Sequence, residues 1–233
     1  MTSQITKKMC KGGDVTEKRV VVYGNGYKDF PVYMAFILNN MGYHVVVNDM
    51  SETREIADIV SINDFNSEVK TYRNVDFNFS GEYLGGYDYS INYFNNLKKV
   101  PYNDRYDGII LNVQVFKSEL EMCRRIINNS KSFIILIVRD KTINCINKKY
   151  IYKYILDSSR GLKIYEIDFD FYDKEYQYIM DYDGIGKMKY LSENYSNILI
   201  KTICSITGNS QGNVKKALRN LKEGKIFDNR FLE

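Results

Sequence analysis

Tryptophan is absent from this chain, histidine occurs once and proline twice. The single histidine, His44, cannot furnish a multi-histidine metal site, and a Ser-His-Asp triad would have to be built on it alone. It stands at the start of an apolar run, where a structural role is expected ahead of a catalytic one. The four cysteines, Cys10, Cys123, Cys145 and Cys204, are scattered and form no C-x-x-C pair. That spacing argues against a metal ribbon or a redox motif and fits a reducing compartment. No apolar run approaches the ~20 residues of a membrane span, and the polar stretch from Met1 to Lys18 has no apolar centre of the signal-peptide kind. The expected location is cytoplasmic, peripheral at a membrane only through partners. A strong field of one sign is missing too. Lys+Arg 33 nearly balances Asp+Glu 29, leaving +4 and no strong nucleic-acid signal. The basic cluster Lys215, Lys216, Arg219, Lys222 and Lys225 reads as a solvated helix face.

What is present is enough apolar material, 44% of 233 residues, for one core, together with 21 tyrosines. Residues 1–17 read as a flexible leader, 18–224 as a single α/β domain and 225–233 as a tail. Lys11-Gly12-Gly13-Asp14 resembles a phosphate loop only superficially, since no apolar strand precedes it and no helix follows.

From Arg19 the pattern is clear. The run Val20-Val21-Val22 bounded by Gly24 predicts a buried strand over Arg19–Tyr23. The loop Gly24-Asn25-Gly26-Tyr27-Lys28-Asp29 follows, then a helix over Pro31–Met41 with Asp29 as its expected N-cap and Gly42 closing it. That helix is apolar on nearly all sides, which predicts deep packing. A second strand, Tyr43–Asn48, ends at Asp49. Further strands are expected over Val75–Phe79, Ile109–Val113, Phe133–Val138 and Lys163–Phe169. Helices are expected over Ile91–Lys98, around Phe116–Ile127, over Lys148–Leu156, from Ser192 to Gly208 and around Val214–Leu221. Residues 170–187 are acidic and tyrosine-rich, without clear periodicity. Strands alternating with helices predict a doubly wound, mostly parallel sheet with helices on both faces, a three-layer α/β/α domain. In such a sheet ligands bind beyond the carboxyl ends of the strands, where the Gly24 loop and Asp49 would lie.

A glycine turn between a buried strand and a helix can cradle phosphates, because backbone N–H groups at the helix start face the anion. The candidate nucleotide-binding residues are therefore Gly24, Asn25, Gly26, Tyr27, Lys28 and Asp49, with ATP or ADP and magnesium as the ligands to test; no catalytic residue and no metal ligand is assigned. Phosphoryl transfer needs a lysine on the phosphates and a neighbouring Ser or Thr on the magnesium. Here Lys28 is followed by Asp29, a carboxylate where phosphates should sit. The dinucleotide fingerprint G-x-G-x-x-G is incomplete, with Asp29 at its third glycine, although Asp49 suits a ribose hydroxyl.

The segment "RVVVYGNGYKDFPVYMAFILNNMGYHVVVNDMSE" resembles the opening of MinD/ParA-type deviant Walker ATPases, P-loop NTPase-like proteins. "RYDGIILNV" is similar to their strand before switch II, "SFIILIVRDKTI" to the next core strand, and "MKYLSENYSNILIKTICSITG" to their C-terminal helix. The TadZ/CpaE branch, which localises pilus or secretion machinery, is the nearest in pattern. Against that family, counted from the left, Asn25 falls at the signature lysine; counted back from Gly42, Tyr27 falls at the loop lysine and Lys28 at the Ser/Thr; Asn112 stands at the switch II aspartate. The resemblance implies a pseudo-ATPase acting as a localisation or scaffold protein. It further implies a homodimer, or a heterodimer with a related active ATPase, and contact with membrane-associated machinery. The tyrosines of Tyr83–Tyr93 and Tyr172–Tyr182 are candidates for an exposed interface. A Rossmann-like nucleotide- or dinucleotide-binding enzyme, and an ATP-binding protein without turnover, stay open beside it.

Overall fold

The structure, a computed structural model, describes residues 16–60, 68–101, 105–141, 148–155, 161–183 and 188–224. Cys10, Cys145 and the Lys11–Asp14 run lie outside them, as do most of the expected leader and tail.

Strand β1 (Lys18–Gly24) is central because its valines bury on both faces. It pairs in parallel with β5 (Tyr89–Phe94) on one side and β6 (Gly108–Val113) on the other. Beyond β5 lie β2 (Val45–Asp49), β4 (Val75–Asn78) and β3 (Val69–Tyr72); beyond β6 lie β7 (Phe133–Lys141) and β8 (Leu162–Asp168). The eight strands run in the order β3-β4-β2-β5-β1-β6-β7-β8. All neighbours are parallel except the β3–β4 hairpin. That hairpin turns on Arg73 and Asn74, both at positive φ, as a two-residue I′ turn requires.

Helices cover both faces, as expected. One core lies under α1 (Asp29–Asn40), α6 (Glu193–Thr207) and α7 (Gln211–Lys222). The other lies under α3 (Lys117–Asn129) and α4 (Lys148–Ile155). Every residue of α1 is buried. Ser192 caps α6, its hydroxyl accepting the Tyr195 N–H at 3.1 Å, and Gly208 ends that helix at φ +75. Short α2 (Glu55–Ile59) follows β2, and α5 (Phe171–Asp183) follows β8.

Several expectations are corrected. Ile91–Lys98 does not form a helix: its first part is β5, a central strand. Polar Ser90 and Asn92 alternate with Ile91 and Tyr93 and are buried inside the sheet, which hides the apolar signal. Asn92 Nδ2 donates to the Val20 carbonyl, and Asn48 and Asn78 continue this ladder of buried amides. Residues 171–183, aperiodic by sequence, are helix α5. Phe116 precedes α3 and is 61% exposed, so it does not share the buried stripe of Leu120, Cys123, Ile126 and Ile127. His44 is exposed; it serves the fold through its backbone, whose N–H donates to Asp88. Tyr89 and Tyr93 are buried and unavailable to a partner, whereas Tyr172, Tyr178 and Tyr182 are exposed.

Candidate functional site: the loop between the first strand and the first helix

Gly24 ends β1, and the Tyr27 N–H donates back to its carbonyl at 3.0 Å. The turn needs Gly26 at φ +72. Gly24 is needed for another reason: a Cβ there would meet the Tyr27 Cβ at 3.1 Å. Helix α1 begins immediately, with Lys28 as its cap residue and no side-chain cap. Asp29 thus belongs to the first turn and is not the N-cap expected of it.

The Asp29 carboxylate turns inward. It is 2% exposed and meets Arg139 of β7 at 3.2 Å, Nη2 to Oδ2. Tyr195 of α6 donates its hydroxyl to the same oxygen at 2.6 Å and accepts from Arg139 Nη1 at 3.1 Å. The guanidinium lies over two rings, Tyr27 and Tyr195, with 4.5 Å to each centroid. Burial alone would lower the Arg139 pKa; the surrounding Asp29, Tyr195 and Asp140 reverse that and hold it above its ordinary value. A negative charge at the start of α1 is also favoured by the helix dipole. The start of α1 therefore carries an anion whose cation comes from β7.

The rest of the loop is similarly engaged. Tyr27 is buried, donates to Asp140 at 3.0 Å and accepts from Gln114 Nε2 at 2.8 Å. Burial pushes its phenol pKa up. Lys28 Nζ lies 3.2 Å from Asp181 of α5 and 3.6 Å from Asp58 of α2. Gln177 of α5 donates to the Gly26 carbonyl, and Lys174 pairs with Asp140 at 2.9 Å. Lys174 also lies over the Tyr27 ring, 5.3 Å from its centroid, so helix α5 lies across the loop and is fastened to it at three points.

Arg139 and Asp140 sit where the β7–β8 register slips, between Val138 and Lys141, and Asp140 has φ +52. This irregularity re-aims two successive side chains, one into the core beneath the loop and one over it. Sequence reasoning missed both residues. The one signal available was a charged Arg-Asp pair ending the most apolar strand of the chain.

Asp49 stands at the carboxyl end of β2, as expected, but its oxygens are taken. Oδ1 accepts the Ser51 N–H and Oδ2 the Ile56 N–H, both at 2.9 Å, so it ties the β2–α2 loop and caps α2. Burial raises its pKa, and those N–H bonds partly offset the rise. The structure brings Gly24, Gly26, Tyr27 and Lys28 together around the start of α1. Asn25 instead lines a cleft of 390 Å³ with Tyr23, Glu52, Asn96, Lys98 and Glu119. Asn112, opposite Gly24 in β6, is fully buried, and its amide makes no hydrogen bond among the described residues.

Around the helix start the charges of the chain are paired with one another. The loop lysine is held by two carboxylates, a third carboxylate occupies the first helical turn, and α5 lies over the loop.

The strand order, the β1–turn–α1 unit and helices on both faces define a P-loop NTPase-like α/β/α fold of the MinD/ParA kind. Among solved structures, the chain is similar to the MinC:MinD cell division protein complex of Aquifex aeolicus, with TM-score 0.60 and 13% identity over 83% of this chain and 96% of that one. A ParA family ATPase of Chlorobium tepidum TLS aligns with TM-score 0.48 and 15% identity over 88% and 98% of the two chains. Neither a protein-family model nor a curated protein matches the sequence.

Proposed function

We propose that this protein is a MinD/ParA-like pseudo-ATPase that works as a localisation or scaffold component and does not turn over nucleotide. The single observation that carries the reading is the Asp29–Arg139–Tyr195 triad. A carboxylate in the first turn of α1, directly after the loop lysine, is buried beneath the loop with its counter-ion already beside it. Displacing it would leave a buried guanidinium and a buried carboxylate to be re-paired, at a cost of several kcal/mol. Phosphoryl transfer depends almost wholly on positioned charge, so pairing Lys28 and Asp29 with side chains of α2, α5 and β7 works against it.

Such a protein acts by binding others, as a homodimer or with an active relative. The resemblance to the TadZ/CpaE branch extends the proposal to pilus or secretion machinery at a membrane. Direct insertion is not part of it, since no described helix is long and apolar enough to cross a bilayer.

The test is the thermal midpoint of the purified chain with ATP–magnesium, ADP or NAD. A ligand at a hundred times its dissociation constant stabilises by ~2.7 kcal/mol. The expected result is no shift with any of them and no phosphate release. A shift with ATP that Lys28→Ala abolishes would replace this reading with nucleotide binding without turnover. A shift with NAD would favour a Rossmann-like enzyme, and steady phosphate release would overturn the proposal altogether.

A further inference from the structure

Helix α5 has two unlike faces. The inner face buries Met180 and reaches the loop through Lys174, Gln177 and Asp181. The outer face shows Phe171, Tyr178 and Tyr182 to solvent, 68%, 56% and 87% exposed. Positions 171, 175, 178 and 182 recur at helical spacing and form one stripe. With Phe169 and Ile179 they line a groove of 620 Å³ whose walls are mostly apolar. Contiguous exposed aromatics of this kind mark interaction surfaces.

Charge indicates what covers it. Lys174, the cation lining the groove, is already neutralised by Asp140 at 2.9 Å. Glu175 on the stripe, and Asp168 and Asp170 just before α5, carry no ion pair among the described residues. Among the residues lining the groove the free charge is therefore that of Glu175, and negative; Asp170 lies beside it in the chain, its Oδ1 accepting the Tyr172 and Asp173 N–H groups. An anionic bilayer would be repelled. A second copy offers its unpaired cations on α7, but the exposed face there is Gln211, Asn213, Lys215, Lys216 and Arg219, with no apolar side chain to fill the groove.

We propose that the outer face of α5 is the docking groove for a cationic amphipathic helix of another protein. Its apolar side chains lie between Phe171, Tyr178 and Tyr182. Its Lys or Arg groups face Glu175 and cover the aromatic faces. This adds a partner class to the scaffold reading without resting on an idle loop, because the outer face of α5 is separate from the groups that meet the loop.

The experiment uses the full chain and a fluorescent synthetic helix with Leu at i, i+3, i+4 and i+7 and Lys elsewhere, followed by anisotropy. A companion peptide carries Glu in place of Lys. The Lys peptide is expected to bind, less tightly as salt rises, and the Glu peptide is not. Replacing the exposed rings together (Phe171→Ser, Tyr178→Ser, Tyr182→Ser) should weaken the Lys peptide at least about tenfold while the circular dichroism is unchanged. Glu175→Lys should weaken it and let the Glu peptide bind. The proposal is overturned if the Lys peptide fails to bind or if the ring variant binds it equally. It is also overturned if phosphatidylglycerol vesicles bind through the same rings, or if sedimentation shows a dimer that the ring variant breaks. A thermal shift with ATP would end the pseudo-ATPase reading and leave these peptide outcomes intact, so the two failures are distinguishable.

Discussion

Arg139 and Asp29 meet 3.2 Å apart beneath the loop, at 3% and 2% side-chain exposure, though 110 residues separate them in the chain. Removing one partner leaves the other charge buried and alone. Arg139→Met or Asp29→Asn is expected to cost about 3–5 kcal/mol in urea unfolding. The double variant should recover much of that loss, since it leaves no buried charge without its partner. Strict additivity of the single losses would show that the pair is not coupled.

Lys28 makes a contrasting case. Its partners Asp58 and Asp181 are 65% and 35% exposed, so water screens the attraction. Lys28→Met is expected to change stability by less than about 1 kcal/mol. A much larger loss would mean that the lysine is an essential clasp between α2 and α5.

Asp49 holds two backbone N–H groups that α2 and its approach leave open. Asp49→Ala strands both, with an expected loss of about 1–3 kcal/mol. In a chain of this length that corresponds to roughly 2–4 °C in the thermal midpoint per kcal/mol. If Asp49 served mainly a ligand, the midpoint would barely move.

Gly26 tests the turn itself. A Cβ would meet nothing within 4 Å, so only the backbone angle, φ +72, resists a side chain. Gly26→Ala is expected to cost about 1–2 kcal/mol. Gly26→Asn should cost less, because Asn tolerates the left-handed region. Equal losses for the two would show that crowding decides, not conformation.

The pH dependence follows from three carboxyls that burial raises: Asp49, Glu119 and Asp173. Each holds its proton to higher pH folded than unfolded. Between the ordinary carboxylate value and the raised one, the folded state binds more protons. Their contribution to stability is thus complete below the unfolded pKa and is lost as pH rises through the folded one. Unfolding midpoints measured from about pH 4 to pH 7 should show this falling component. Glu119→Gln should flatten part of it; an unchanged slope would assign the effect elsewhere.

How much of this was legible beforehand differs by element. The valine run of β1, the all-apolar α1 and the Ser192-to-Gly208 helix are local statements, made by periodicity, side-chain shape and capping, and the structure agrees with each. Strand β5 was not legible, because Asn92 is acceptable inside a sheet only when the Val20 carbonyl and Asn48 arrive to bond it. Helix α5 was hidden for a similar reason: its outer stripe is aromatic where a lone surface helix would be polar, so its two faces do not contrast.

By itself, then, the amino-acid order determined the alternation of strands and helices, and with it a parallel sheet carrying a glycine turn at its carboxyl edge. Only the tertiary structure decided what that turn can do. The loop lacks a hydroxyl after Lys28, which any reader can see. That Asp29 faces inward to Arg139, and that Lys28 is drawn to Asp58 and Asp181, depends on β7, α2 and α5 converging from distant parts of the chain. Burial sets the worth of a charge, and burial exists only once those elements have packed.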